Sequence, residues 1–272
     1  MYRDKKIGVV VPAYNEEPHI GKVLAGMPDL VDAVYVVDDC STDRTADIVR
    51  DFVADGEPAT RNSSIGGPRV ELVQHAVNRG VGAAIVTGYK RCLSDGMDIA
   101  AVMAGDNQME PAWLPAVLDP VVDGEADYSK GTRQRSLEHL RGMSVWRRLG
   151  NFTLRWLTVL ASGNSGVTDP QHGYAAISRE ALEGLHLDAV YPYYGYCNDL
   201  VIRLSAQKRR IVEISMPSMY HGEVSHIRYH KYIPKVSGLL VRLFLLRITG
   251  QLSARHTEPS LKSSETSGAA KA

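Results

Sequence analysis

Asp106, Asn107 and Gln108 end the small apolar run of "AVMAGDNQMEP" (101–111), and Pro111 closes it. Carboxylate and amide oxygens so close together are hard donors of the kind magnesium and manganese take. The set offers one carboxylate where a divalent ion is more comfortable with two. One suffices when phosphates and water complete a near-octahedral shell. Two other polar groups stand beside this one in type. Tyr14, Asn15 and Glu16 follow "VVVPA", and the adjacent Asp38 and Asp39 follow "VYVV" and precede Ser41. A fourth stretch, "YHGEVSHIRYHKYIP" (220–234), collects His221, His226, Arg228, His230 and Lys231. It has no cysteine and no HExxH frame, which argues against zinc and for a basic loop that closes over phosphate.

These groups need elements to hold them. "KIGVVVPAY" (6–14) and "AVYVVDD" (33–39) have the continuous apolar character of buried parallel strands. Between them, Ile20, Val23, Leu24 and Met27 share one helical face. After the second strand, Ser41 is the expected N-cap of a helix carrying Ala46, Val49 and Phe52 or Val53. The alternation continues with a strand over 70–75, a helix over 80–93, a strand over 99–105 and a helix opened by Pro111. Such an order predicts an α/β fold, a doubly wound and mostly parallel sheet with helices on both faces. In these sheets ligands bind beyond the carboxyl ends of the strands, where 12–16, 38–42, 75–80 and 105–108 fall on one rim. Further on, the sequence predicts a long amphipathic segment around 143–161, a strand over 173–178, a helix over 198–209 and a strand over 211–217. Residues 55–69 read as a surface insertion and 253–272 as a disordered tail.

The chain has 272 residues, 44% of them hydrophobic and 23% charged, an ordinary composition for a soluble globular protein. Its longest apolar stretch, 238–250, contains Arg242 and Arg247 and is too short to span a bilayer, which takes about 20 residues. No signal peptide is read at the start, so a cytoplasmic location is expected. The three cysteines fit neither a disulfide framework nor a zinc site. Net charge is zero but uneven: residues 1–199 carry 19 Lys and Arg against 27 Asp and Glu, and residues 200–250 carry nine against two. The basic segment is either a solvated helix end or a surface for phosphate or anionic lipid. A GxGxxG fingerprint is absent from the first strand-to-helix turn, and no GxxxxGK[ST] occurs, which argues against a dinucleotide-dependent dehydrogenase and a P-loop enzyme.

Taken in order, "VVPAYNEE", "VVDDCSTD", "NRGVGAA", "GDNQMEP" and "GTR" resemble the family 2 inverting glycosyltransferases, and most of all the branch of dolichol-phosphate mannose synthases and polyprenyl-phosphate glycosyltransferases. The resemblance spans about residues 6 to 235. It implies a GT-A fold over 1–235, with a nucleotide-sugar half at 1–110 and an acceptor half at 111–235, followed by an amphipathic helix at 236–252. It further implies a UDP- or GDP-sugar donor and a Mg²⁺ or Mn²⁺ ion on its diphosphate.

Residue by residue, the resemblance places Pro12, Tyr14 and Glu16 along the nucleotide and Asp39 on its base or ribose, a contact that suits a carboxylate acceptor. Asp38 is a ligand or a helix cap. Arg79 reaches a phosphate or the base, while Gly80 and Gly82 allow close backbone approach. The family's D-x-D-x-Q has Ala104 in place of its first acid here, so the metal falls to Asp106 and Gln108, with His221 completing its shell. Arg133 and Arg228 are implied for phosphate, Asp169, Gln171 and His172 for the sugar pocket, and Lys130 and Arg135 for the surface.

Asp199 matches the family's acidic position at a helix start, with Cys197 where an acid often stands. It is the expected general base if the acceptor is a hydroxyl, and an orienting group if the acceptor is already a phosphate. The acceptor is expected to be a polyprenyl phosphate, with a soluble hydroxyl acceptor as the alternative. A catalytically silent nucleotide-binding protein and a sugar-1-phosphate nucleotidyltransferase are the readings from other classes. The terminal helix is expected to pack on the domain, to pair in a homodimer, or to make a peripheral contact at the inner face of the membrane. No nucleic-acid partner is expected.

Overall fold

In a computed structural model, residues 1–55, 68–132, 145–216 and 229–252 are described. Their strands form one sheet: β1 (Ile7–Ala13), β2 (Ala33–Asp38), β3 (Arg69–Gln74), β4 (Ile99–Val102), β5 (Tyr128–Thr132), β6 (Ala175–Ser178) and β7 (Ile211–Ser215). The order is β3-β2-β1-β4-β6-β5-β7. β6 runs antiparallel to β4 and β5, and the other pairs are parallel. The mostly parallel, doubly wound sheet expected from the βα alternation is what forms.

Side chains alternate across a strand, so the valine runs of β1 and β2 feed two cores. Val10, Tyr35, Val37, Ala100 and Val102 face α3 (Val81–Ser94), α6 (Arg179–Glu183) and α7 (Tyr196–Ala206). Val9, Val11, Val34, Val36, Ile99 and Ala101 face α1 (Ile20–Ala25), α2 (Thr45–Asp55) and α4 (Leu114–Val122). A third cluster joins α7 to α5 (Val145–Ser162) and α8 (Tyr229–Ile248) through Leu154, Ile202, Val236, Leu240 and Leu243. The terminal helix is therefore longer than the 236–252 read from sequence, and it packs on the domain.

Three local expectations are corrected. Ser41 is not the cap of α2: the helix starts at Thr45, whose N–H is accepted by Asp43 Oδ1 at 3.0 Å. Pro111 opens a 3-10 turn (Pro111–Trp113), and α4 follows from Leu114. Lys130 is not on the surface. It lies on β5 between β6 and β7, fully buried, with its Nζ donating to the Asp169 carbonyl.

Gly88 sets how closely α3 lies on the sheet. A Cβ there would enter the Val10 isopropyl group, 2.7 Å from Cγ2, and Val10 is fully buried with no room to turn. Gly88→Ala is expected to destabilise the protein by about 1–3 kcal/mol, as overpacked cores do. A denaturant midpoint equal to or above the wild-type value would contradict this packing.

Candidate active site

Four loops leave the carboxyl ends of β1, β2, β3 and β4. The first two are laced together. Asn15, at φ +57°, gives its N–H to Ser41 Oγ at 2.9 Å, and its Oδ1 accepts the Thr42 N–H at 2.8 Å. The N–H groups of Glu16 and Glu17 go to Thr45 Oγ1 at 2.8 Å and Asp43 Oδ2 at 3.1 Å. Fixed this way, the first loop leaves Tyr14 exposed and Glu16 half-buried, with half-buried Pro12 at its root.

Asp106 and Gln108 sit in a tight turn after β4. Asn107 takes φ +60°, and Asp106 Oδ1 accepts the Gln108 N–H at 3.0 Å. Glu16 is packed against the preceding residue: Gly105 N–H bonds Pro12 O at 3.2 Å, and a Cβ on Gly105 would touch Glu16 Cγ at 3.4 Å. Partial burial and the nearby carboxylates of Glu16 and Asp106 push the ionisation of the Tyr194 phenol up, so it stays an O–H donor beside the acids. From the other side, the 171–174 segment backs the same turn. Tyr174 donates to Glu110 O at 3.2 Å, and Met109 lies between the Ala104 N–H and Gly173. Gln171 and His172, both half-buried, thus stand next to the Asp106 loop, with the His172 ring also against Gly131 on β5.

The oxygen donors of this turn fit a hard divalent ion, but only as a partial set. Among the described residues no group of three or more His, Cys, Asp and Glu side chains is disposed to hold a metal. Asp106 and the Gln108 amide suit Mg²⁺ or Mn²⁺ whose remaining positions are filled by diphosphate and water.

Asp39 is more committed than its sequence position suggested. It is 3% exposed, and its carboxylate closes the β3–α3 loop: Oδ1 accepts the Arg79 N–H at 2.8 Å, and Oδ2 accepts the Gly80 N–H at 2.7 Å. The Arg79 side chain is exposed at the rim. Gly80, at φ +94°, and Gly82 do serve close backbone approach, but to the chain itself. A Cβ on Gly80 would be 2.5 Å from Pro192 O, and one on Gly82 would be 2.9 Å from Pro192 C. Asp38 caps its own turn, accepting the Ser41 N–H at 3.1 Å.

The surroundings of Asp199 do not favour the base role expected of it. It is 1% exposed on α7. One oxygen accepts from Arg203 Nε at 2.6 Å and the other from the Tyr191 N–H at 2.6 Å, while Arg203 also donates to Ala189 O at 2.5 Å. Burial pushes the carboxyl above its ordinary range, and Arg203 pulls it back. The pair ties α7 to the 187–191 segment and lines a cavity of ≈ 640 Å³ with Leu239, Arg242 and Leu243, into which none of the rim residues Glu16, Asp39 or Asp106 projects. A base must reach the proton it takes, and the two oxygens of this carboxylate are engaged by Arg203 and by the Tyr191 N–H. Arg133, His221 and Arg228 lie outside the described residues.

Sequence reasoning missed His75, Tyr194 and the burial of Lys130. Tyr194 carried a readable signal, a Pro-Tyr-Tyr-Gly turn (192–195) that leaves two large rings exposed, Tyr193 at 52% and Tyr194 at 58%. His75 carried none, because its partners come from β2 and from one turn inside α3.

An open, mostly parallel sheet with acidic loops at one rim and no glycine-rich phosphate loop has the α/β layout of the GT-A fold. The family model described as glycosyl transferase family 2 matches residues 8–185, and the chain belongs to that family. It is 30% identical over 219 residues to the UDP-N-acetylglucosamine--dolichyl-phosphate N-acetylglucosaminyltransferase of Methanococcus voltae, covering 80% of this chain and 87% of that protein. It is 26% identical over 212 residues to the undecaprenyl-phosphate mannosyltransferase of Micrococcus luteus, covering 77% and 82%. Among solved structures, glucosyl-3-phosphoglycerate synthase from Mycobacterium tuberculosis, in complex with Mn²⁺, UDP-glucose and phosphoglyceric acid, shares the fold with a TM-score of 0.64 at 23% identity, covering 90% of this chain and 80% of that one. The protein is a glycosyltransferase.

Proposed function

We propose that this enzyme transfers one sugar, with inversion, from a UDP- or GDP-sugar to a polyprenyl phosphate at the cytoplasmic face of a membrane. The observation that carries the acceptor half is the state of Asp199. A hydroxyl acceptor needs a base to take its proton, and the carboxylate expected to do so is buried, with each oxygen already accepting a hydrogen bond. A phosphate monoester needs no such base, because its second ionisation lies near pH 6 and its oxygen is already an anion. Relatives whose names specify dolichyl-phosphate and undecaprenyl-phosphate substrates support the same choice.

In this reading the acceptor phosphate oxygen attacks the anomeric carbon as the bond from that carbon to the nucleoside diphosphate breaks, and the electron pair leaves with the diphosphate. Pro12, Tyr14, Glu16, Asp39 and Arg79 hold the nucleotide. Gln171 and His172 border the sugar, and Tyr194 adds a hydroxyl donor beside the acids. Asp106 and Gln108, with His221, would hold Mg²⁺ or Mn²⁺, which supplies positive charge to the departing diphosphate. Arg133 and Arg228 join the phosphate contacts on the strength of their sequence positions.

The membrane side of the reading rests on α5 and α8. Trp156 and Leu160 on one helix and Val241, Leu245 and Ile248 on the other are each more than half exposed. Their spacings of three and four residues make stripes on helices that pack together, with Arg247 donating to the Leu160 and Ala161 carbonyls. Residues 145–162 contain three basic and no acidic side chains, and residues 229–252 contain four and none. Exposed apolar stripes on two helices whose sequences are basic and free of acids suit an anionic bilayer surface. No helix among the described residues is long and apolar enough to cross one.

The test incubates the enzyme with UDP- and GDP-sugars and a polyprenyl phosphate in vesicles, with and without anionic phospholipid. A lipid-linked sugar from one nucleotide class, formed faster on the anionic vesicles, is expected. Transfer only to soluble hydroxyl compounds would replace the acceptor assignment. Co-sedimentation that ignores lipid charge and survives Leu245→Ser with Ile248→Ser would remove the membrane face.

A further inference from the structure

His75 is 8% exposed and follows the last residue of β3. Its Nδ1 lies 2.7 Å from Asp39 Oδ1, and its Nε2 lies 2.9 Å from Thr87 Oγ1 in the second turn of α3. Thr87 Oγ1 is in turn 3.0 Å from the Ala83 carbonyl. The proton positions follow from the partners. Asp39 already accepts two backbone N–H groups, from Arg79 and Gly80. A carboxylate only accepts, so the ring nitrogen facing it carries the hydrogen. The Thr87 hydroxyl can serve Nε2 either way: it donates to a bare Nε2, or it accepts from a protonated one while donating to Ala83 O. In both arrangements Nδ1–H points at Asp39.

A carboxylate has about four lone-pair positions, and the described residues fill three of those on Asp39: two on Oδ1 and one on Oδ2. Without His75 the carboxylate would be held by two adjacent amides of one loop and would be free to rock about them. With it, donors from β3, the loop and, through Thr87, α3 fix the plane of the group. The geometry points to His75 as the positioning residue of the donor site: it orients Asp39 so that the remaining Oδ2 lone pair is presented to the nucleotide. This rests on the reading of Asp39 as a nucleotide contact. The base N–H or ribose hydroxyl of a nucleoside diphosphate is the group such an acceptor takes.

Two substitutions separate positioning from mere filling of space. Asparagine places its amide nitrogen near the former Nδ1 and keeps a donor toward Asp39, whereas glutamine reaches toward Thr87 and gives that donor up. His75→Gln is expected to raise the KM for the nucleotide sugar about tenfold, the worth of one hydrogen bond to a charged group, with kcat within about twofold and the acceptor KM unchanged. His75→Asn should stay within about threefold of wild type in donor KM. Equal effects of the two, or a loss confined to kcat, would overturn the assignment.

Imidazole ¹⁵N spectra of the unaltered enzyme give a second test that depends on no variant folding. A proton on Nδ1 at neutral pH is expected, and a ring protonated only at Nε2 would refute the geometry. Asp39→Asn serves as the control for the underlying reading. If it binds UDP and GDP as wild type does, the nucleotide contact itself fails. If it loses binding while His75→Gln keeps it, only the role of His75 does.

Discussion

Asp106→Ala is expected to lower sugar transfer by about 10²- to 10³-fold, the usual loss when a group that stabilises developing charge is removed. The departing nucleoside diphosphate gains negative charge as the glycosidic bond breaks. At this rim the oxygen donors that would hold a compensating cation are Asp106 and its turn partner Gln108. The same substitution should make nucleotide binding, measured by titration calorimetry, indifferent to Mn²⁺, Mg²⁺ and EDTA. The wild-type protein should bind one nucleotide tightly only with metal. Because Asp106 is half-buried in a surface turn, Asp106→Ala should change stability by roughly 1 kcal/mol or less, which keeps the activity loss interpretable. Ala104→Asp offers a test in the opposite direction. It restores a second acid at the end of the apolar run and should lower the Mn²⁺ concentration needed for half-maximal activity. Wild-type binding unchanged by EDTA, together with an active Asp106→Ala, would mean that basic groups alone neutralise the diphosphate.

The fold was legible because its determinants are local and periodic. The valine runs of β1 and β2 and the helical spacing of α1 and α2 need no knowledge of distant residues, and the rim follows from the order of the elements. The strand β5 was harder. "YSKGT" carries neither an apolar run nor clean alternation, yet all five residues are buried, because the sheet places the strand between β6 and β7 and the Asp169 carbonyl meets its lysine.

At the site, the loops were legible and the roles within them were not. Asp38 and Asp39 differ by one position, but one caps a turn and the other anchors a loop forty residues away, and only the pairing of β2 with β3 decides which. Asp199 shows the same limit from the other direction. Its place at the start of a helix matched an acidic position near the acceptor, but the Arg203 one turn later and the returning 187–191 segment consume it. The spacing of four between Asp199 and Arg203 was the one available signal, since residues so placed on a helix face each other.

Arg203→Met is expected to destabilise the protein by about 3–5 kcal/mol, the effect of removing one partner from a buried ion pair and leaving the other charge uncompensated. At this chain length, that corresponds to a Tm lower by roughly 10 °C. Combining it with Asp199→Asn should restore most of the loss, because replacing both charges by neutral groups is often neutral or stabilising.

The pH dependence has a definite sign. Burial holds the folded Asp199 carboxyl above its ordinary value of 3.8, even with Arg203 beside it. The folded state therefore binds this proton more tightly than the unfolded chain, and the stability it contributes is full below that value and drains away as pH rises through the folded one. Relative to wild type, the double variant should gain stability over that rise, as read by thermal unfolding from pH 4 to 7. The functional outcome is the sharper one. A general base is worth about 10²- to 10⁴-fold in rate, so transfer to a polyprenyl phosphate by the folded double variant should fall by less than tenfold if Asp199 holds the 187–191 segment and takes no proton. A loss of a thousandfold with Tm maintained would return Asp199 to the reaction, as a group that orients the acceptor.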